Sequence, residues 1–263
     1  MAGKSIVVTS GKGGVGKTTT VANIGTALAK KGFRVVLVDA DIGLRNLDVV
    51  MGVENRIVYN VVDIIEGNCR MEQAMIRDRK LTNLYLIPAA QTREKDAVNP
   101  EQMKDLCAQL LESFDYVIMD CPAGIERGFK NAIAGADTAI VVTTPEVSAI
   151  RDADRVIGLL ESNLLTNIHL IVNRMNYRML RKGDQMSTED IVGLLSVPLL
   201  GVVPESEEVL VSTNRGVPLV HNRGSHAGTA FQNIAARLDG ENIPIESDNH
   251  AGLMGKIKRF IWS

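Results

Sequence analysis

Apolar and polar positions alternate along this chain in two distinct patterns. Seven short runs, SIVVTS (5–10), RVVLVDAD (34–41), NLYLIPA (83–89), YVIMDCP (116–122), TAIVVTTP (138–145), HLIVNR (169–174) and LLGVVPE (199–205), are rich in Val and Ile. They are nearly continuous in apolar character and bounded by Gly, Pro, Asp or Asn, as parallel strands buried on both faces are. Between them, residues 18–31, 100–113, 147–161 and 226–238 place apolar residues at helical spacing. Ser187 and Asp190, in STED, predict a capping box ahead of IVGLL. The alternation predicts an α/β fold: a doubly wound, mostly parallel sheet flanked by helices, with right-handed crossovers.

Polar residues collect at one end of the predicted strands. Gly11, Asp39, Asp41, Pro88, Asp120, Thr143, Asn173 and Glu205 all follow an apolar run rather than precede it. Ligands of open α/β sheets sit beyond the carboxyl ends of the strands, so one site can gather most of these groups.

The first of those ends reads GKGGVGKT (11–18), a match to G-x-x-x-x-G-K-[ST] after a strand and before a helix. In such a phosphate loop, Gly13, Gly14 and Gly16 let the backbone curl so that its N–H groups face phosphate oxygens. Lys17 reaches the β and γ phosphates and Thr18 offers its hydroxyl to Mg²⁺. Gly11 to Thr19, with Val15 inside the curl, form the predicted nucleotide cradle at a helix N-terminus. Asp39 and Asp41 end the second strand and Asp120 a later one. Hydrolysis needs oxygen ligands for Mg²⁺ and an aligned water. Asp120, after the apolar run YVIM, fits the position that holds a magnesium-bound water, and Asp39 supports the same metal shell. Asn173 either starts a turn or pairs with an adenine edge, since its amide both donates and accepts. GTPases place N-K-x-D here; this chain has NRMN, with Asn176 in place of the guanine-reading aspartate, so ATP is expected over GTP.

Composition narrows the classes. A chain of 263 residues with 45% hydrophobic content can bury a sizeable core. Its net charge is −2, which does not favour non-specific nucleic-acid binding. Cys69, Cys107 and Cys121 are odd in number and far apart, which argues against a disulfide framework or thiolate metal site. None of the four histidines pairs at metal-ligand spacing. The opening MAGKSIVVTSGKGG runs directly into a strand, so no secretory leader is expected. No apolar run approaches the ~20 residues of a membrane span.

Lys12 is left over, because Lys17 already serves the loop. It is either a solvated surface lysine or a cation delivered across a dimer interface to the partner's phosphates, as an arginine finger is. The extra lysine in KGGVGKT resembles the deviant Walker A motif of the MinD/ParA family of dimerising ATPases. DADIGLRNLDVVMG (39–52), DCPAGIE (120–126) and TTPEVSAIRDADR (143–155) resemble its MinD-type branch, and the similarity covers nearly the whole chain.

The resemblance implies that two ATP molecules are sandwiched in a homodimer, with Lys12 contacting nucleotide in its own or the facing subunit. It assigns Asp41 to orienting the attacking water and places base contacts at Asn173, Pro204 and Glu205. It also assigns Ser148 and Asp152 to a switch surface that meets partner proteins; by spacing Arg151, Asp154 and Arg155 share a helix face from which Asp152 points away. The partners it implies are a MinC-like division inhibitor and, as regulator, MinE or a polar scaffold. The function implied is an ATPase switch that positions the bacterial division septum. Relatives with other tasks make other expectations: a ParA-type DNA-partition protein would need basic surface, an iron–sulfur carrier would need paired cysteines, and a flagellar-number ATPase would share both loop and tail.

The C-terminus changes the picture once more. In GLMGKIKRFIWS (252–263), Leu253, Met254, Ile257, Phe260 and Ile261 fall within about 120° of arc at helical pitch. Lys256, Lys258 and Arg259 give this tail +3 and leave the rest of the chain at −5. At about 18 Å such a helix cannot span a bilayer. It fits an interfacial anchor on anionic lipid, the role the family gives its C-terminal helix. Residues 1–238 are thus expected to form the ATPase domain, 239–251 an acidic flexible linker, and 252–263 the membrane-targeting helix. The expected location is cytoplasmic, and peripheral on the inner membrane face when ATP is bound.

Overall fold

The computed structural model describes residues 3–93, 97–125 and 127–245. Eight strands form one sheet: β1 (Lys4–Thr9), β2 (Val35–Asp39), β3 (Ile76–Arg77), β4 (Leu84–Ile87), β5 (Tyr116–Asp120), β6 (Thr138–Thr143), β7 (Ile168–Met175) and β8 (Leu199–Pro204). Their order is β3-β4-β2-β5-β1-β6-β7-β8. Every pairing is parallel except β3 with β4. All seven predicted strands are present. The eighth, β3, is a two-residue antiparallel edge, too short for any apolar period to announce it.

Helices cover both faces. On one lie α1 (Lys17–Lys30), the short α2 (Leu47–Met51), and, later in the chain, α10 (Glu207–Asn214) and α11 (His226–Leu238). The other is covered by α3 (Val61–Ile65), α5 (Pro100–Leu111), α6 (Arg127–Ile133), α7 (Val147–Ser162) and α9 (Thr188–Leu195). Short α4 (Met71–Ala74) precedes β3, and α8 (Tyr177–Lys182) follows β7. Two cores result, one per face. Ile6 and Val8 join Ile24, Leu28 and Phe231 on one side, while Val7 joins Leu110, Phe129 and Val156 on the other. Side chains alternate across a strand. A strand covered on both sides must therefore be apolar at every position, which is why the runs read as continuous.

Local sequence sets the helix ends. Asn99 accepts from the Gln102 N–H, Gln102 accepts from the Asn99 N–H, and Pro100 opens α5, where its missing N–H costs nothing. At α9 the hydroxyl of Ser187 accepts from the Asp190 N–H and itself donates to the Asp190 carboxylate.

The start of the stretch expected to be a flexible linker is tied to the domain. Lys31 pairs with Asp239 and Glu241, the Tyr116 hydroxyl donates to Asp239, and Arg237 donates to the carbonyls of Ile243 and Pro244. The acids read as solvating a linker serve partly as anchors. Residues 246–251, and the amphipathic stretch 252–263 with Leu253, Met254, Ile257, Lys258, Phe260 and Ile261, lie outside the described residues. Among the described residues no helix is long and apolar enough to cross a membrane.

Candidate functional site

The loop between β1 and α1 is built where the sheet order turns back on itself. β1 lies between β5 and β6, so the chain leaves it in one direction and returns on the other. That opens a crevice at the carboxyl ends. Gly14 and Gly16 hold φ of +77° and +102°, left-handed values that let the backbone curl. A Cβ on Gly16 would stand 2.3 Å from the Asn173 amide nitrogen, and one on Gly11 2.2 Å from the Asp152 carbonyl oxygen. Both positions are limited to glycine by neighbours from other parts of the chain. Gly16 caps α1 without a side-chain acceptor, and the first turn has no acid. Its N–H groups and dipole thus remain for an anion.

The two lysines of the loop occupy different surroundings. Lys17 is buried and its ammonium donates to the Ser10 hydroxyl at 3.1 Å; that hydroxyl donates to the Lys12 carbonyl at 2.8 Å. Lys12 points outward. Its Nζ lies 3.2 Å from both the Glu146 carboxylate and the Ser148 hydroxyl, at the start of α7, and its side chain is 43% exposed. An ion pair this exposed contributes at most about 1 kcal/mol, so phosphate can compete for the lysine. Ser148 is exposed, while Asp152 is half-buried with its backbone against Gly11. Arg151, Asp154 and Arg155 are exposed on the same helix.

The carboxylates meet through strand register. Val38 pairs with Met119 and Asp39 with Asp120 across β2 and β5, and Val8 of β1 also pairs with Asp120. Asp39 accepts from the N–H groups of Asp41, Asn46 and Leu47, and so shapes the loop that carries Asp41. Burial pushes its pKa up, against those three bonds. Asp120 is fully buried and is pushed above the usual carboxylate range by burial and then by Asp39; the Thr18 hydroxyl and Lys17 act the other way. One oxygen of Asp120 has no partner. Two adjacent carboxylates in a low dielectric are stable together only if protonated or neutralised. A cation beside Thr18 and Asp120 removes that conflict. The described residues hold no cluster of three or more metal ligands. A hydroxyl and one carboxylate suit Mg²⁺, which retains waters and is completed by phosphate oxygens. Bound there, the ion would neutralise developing phosphate charge. Asp41 is half-buried beside Pro122 and Asn131.

The base residues sit less openly than expected. Asn173 is buried; its Nδ2 donates to the Val15 carbonyl at 2.7 Å and its Oδ1 accepts from Arg174. Both ends of the amide are engaged within the chain, and the residue braces the phosphate loop. Pro204 ends β8 and Glu205 follows it, lining two clefts of about 570 and 720 Å³. Sequence reasoning passed over Ser10, which no pattern singles out, and Glu146, whose opposite charge two residues before Ser148 was the available signal. Cys107 and Cys121 are buried, with pKa values pushed up to about 12 by desolvation, which makes them inert thiols.

The model of the CobQ/CobB/MinD/ParA nucleotide binding domain matches residues 6–219. The septum site-determining protein MinD of Bacillus subtilis is 55% identical over 264 residues, covering 98% of each chain. The MinD of the Aquifex aeolicus MinC:MinD cell division complex has a TM-score of 0.87 at 47% identity, covering 92% of this chain and 98% of that one. The Pyrococcus horikoshii MinD complexed with Mg-ADP has a TM-score of 0.81 at 31% identity, covering 90% and 96%. With a glycine cradle, a second outward lysine and paired strand-end carboxylates in one crevice, this chain belongs to the MinD/ParA family of P-loop ATPases, which hydrolyse ATP with Mg²⁺.

Proposed function

We propose that this chain positions the bacterial division septum as an ATP-driven switch, dimerising on ATP, binding the inner membrane face and recruiting a MinC-like division inhibitor there. The observation that carries it is Lys12. A lysine at the mouth of the nucleotide site is held by Glu146 and Ser148, on the surface expected to meet partners. When ATP and a second subunit compete for that lysine, Glu146 and Ser148 are released. Nucleotide state is thereby coupled to the partner surface that includes Asp152. The division role is supported by the likeness to septum site-determining proteins and by the Aquifex protein solved with MinC. MinE or a polar scaffold would act as regulator. A charge of −5 outside the tail speaks against nucleic acid as partner.

In the mechanism, the loop from Gly11 to Thr19 binds the phosphates, Lys17 and Lys12 stabilise transferring charge, and Thr18 with Asp120 would hold Mg²⁺, supported by Asp39. Asp41 orients the attacking water. Water alignment acts in the transition state, whereas the loop supplies most of the binding. Asp41→Ala should accordingly lower kcat by about 10²-fold or more with ATP affinity kept within a few-fold. Equal losses in affinity and turnover would reassign Asp41 to binding.

Membrane residence follows from tail number. One short amphipathic helix anchors weakly. A dimer presents two, the second bound at high effective concentration. Co-sedimentation with vesicles of varied anionic content, with and without Mg-ATP, tests this. The intact chain should pellet steeply with ATP, and a chain lacking 253–263 should stay in the supernatant while still dimerising. Ile257→Glu should act almost as strongly. Lys258→Glu should act mildly, because each cation near such a surface contributes about 1 kcal/mol. Pelleting of the truncated chain to the same extent as the full one refutes the anchor.

A further inference from the structure

The ends of β7 and β8 are joined by a side-chain contact separate from the phosphate loop. Strand pairing is irregular here: the register shifts between Val172 and Met175, and Arg174 takes a left-handed φ of 57°. Beyond the irregularity the Glu205 N–H donates to the Met175 carbonyl at 3.0 Å. Asn176 then bonds in two directions. Its Oδ1 accepts from the N–H groups of Arg178 and Met179, both at 3.1 Å, and so caps α8. Its Nδ2 donates to Glu205 Oε2 at 2.7 Å. The orientation of the amide follows from chemistry: two N–H donors on one side require the oxygen there, and the carboxylate requires the nitrogen. The Asn176 N–H is itself held by Gln185 Oε1 at 3.2 Å. Glu205 lines two clefts at this end of the sheet, and Asn173, three residues before Asn176, bonds the phosphate loop at the Val15 carbonyl.

We propose that Asn176 is a positioning residue for nucleotide selection: it holds the Glu205 carboxylate, and with it the wall after β8, in place for adenine. The proposal rests on the reading of Pro204 and Glu205 as base contacts. Position 176 is where a guanine-reading protein carries aspartate. Here an aspartate keeps the helix cap but loses the donor and faces Glu205 with like charge. It therefore opens the wall and reads no new base.

Displacement of a fluorescent ATP analogue by ATP and by GTP, together with steady-state ATPase assays, tests this on the full chain. Asn176→Asp and Asn176→Ser should each weaken ATP about fivefold or more, the loss of a bond worth about 1 kcal/mol or more. Serine still caps a helix, so Asn176→Ser separates tether from cap if the aspartate variant folds poorly. The loss should fall on KM, with kcat at saturating Mg-ATP kept within about twofold. Glu205→Ala should match Asn176→Ser, and the double variant should be no worse than either single. GTP should compete no better against Asn176→Asp than against the parent.

A gain in GTP affinity for Asn176→Asp overturns the proposal, because the position then reads the base itself. Unchanged ATP affinity in Asn176→Ser, with Glu205→Ala impaired, rejects the tether and leaves the base site standing. Unchanged affinity in Glu205→Ala rejects the base site, and the proposal with it.

Discussion

Lys12→Ala should reduce ATP turnover about 10³-fold, in the range lost when a trans-acting cation is removed from phosphoryl transfer. ATP should still bind, because the glycine cradle and buried Lys17 are untouched. The fold should survive, since Lys12 is exposed and its ion pair with Glu146 is a surface one. Sedimentation with a slowly hydrolysed analogue should show a parent dimer and a variant monomer. If Lys12 is only a solvated lysine, dimerisation and turnover will both match the parent. A sharper comparison is Glu146→Gln, which weakens the resting partner of Lys12 without removing the lysine. It should favour the analogue-bound dimer, since less must be given up when Lys12 moves to phosphate. Dimerisation weaker than the parent's in that variant would show that Glu146 acts within the dimer rather than against it.

Asp120→Asn should have opposite effects on catalysis and on the stability of the metal-free protein. Turnover with Mg-ATP should fall about 10²- to 10³-fold, as several kcal/mol of metal-borne charge stabilisation is lost. The metal-free protein should melt higher, because one of two adjacent buried carboxylates has been neutralised. Each kcal/mol so relieved raises Tm by about 2–4 °C for a domain near this size.

The pH dependence separates this from simple repacking. In the metal-free parent, Asp39 and Asp120 have folded pKa values raised above the ordinary carboxylate value, chiefly by burial. Between the unfolded and folded pKa values the native state binds more protons than the unfolded one. Their contribution to stability is therefore fully present below the unfolded pKa, is lost as pH rises through the folded pKa, and is level above it. The Asp120→Asn substitution should flatten that decline, and Mg-ATP should flatten it in the parent. Melting curves from pH 4 to 9 read both; a parent with no decline in this window contradicts the burial argument.

Much of this molecule follows from the sequence alone. The seven continuous apolar runs determine a sheet covered on both faces, because no exposed strand can carry apolar residues at every position. The motif GKGGVGKT determines a phosphate loop, because its glycines, lysine and threonine have one shared use between a strand and a helix. These are local signals, carried by residues close together in the chain. The tertiary structure decided what depends on register and on distant neighbours. Asp39 and Asp120 become a pair only because β2 and β5 align them, 81 positions apart in the chain. Asn173, read as a base contact, braces Val15 because β7 runs past the loop and its amide takes the nearest carbonyl. Lys12 meets Glu146 and Ser148 across more than 130 residues. Asn176, read only as an absent aspartate, bonds Glu205 because the chain leaving β7 and the end of β8 converge. Hydrophobic period and loop chemistry determine which elements exist. Which polar side chain meets which depends on how the sheet orders them, and a linear pattern does not encode that order.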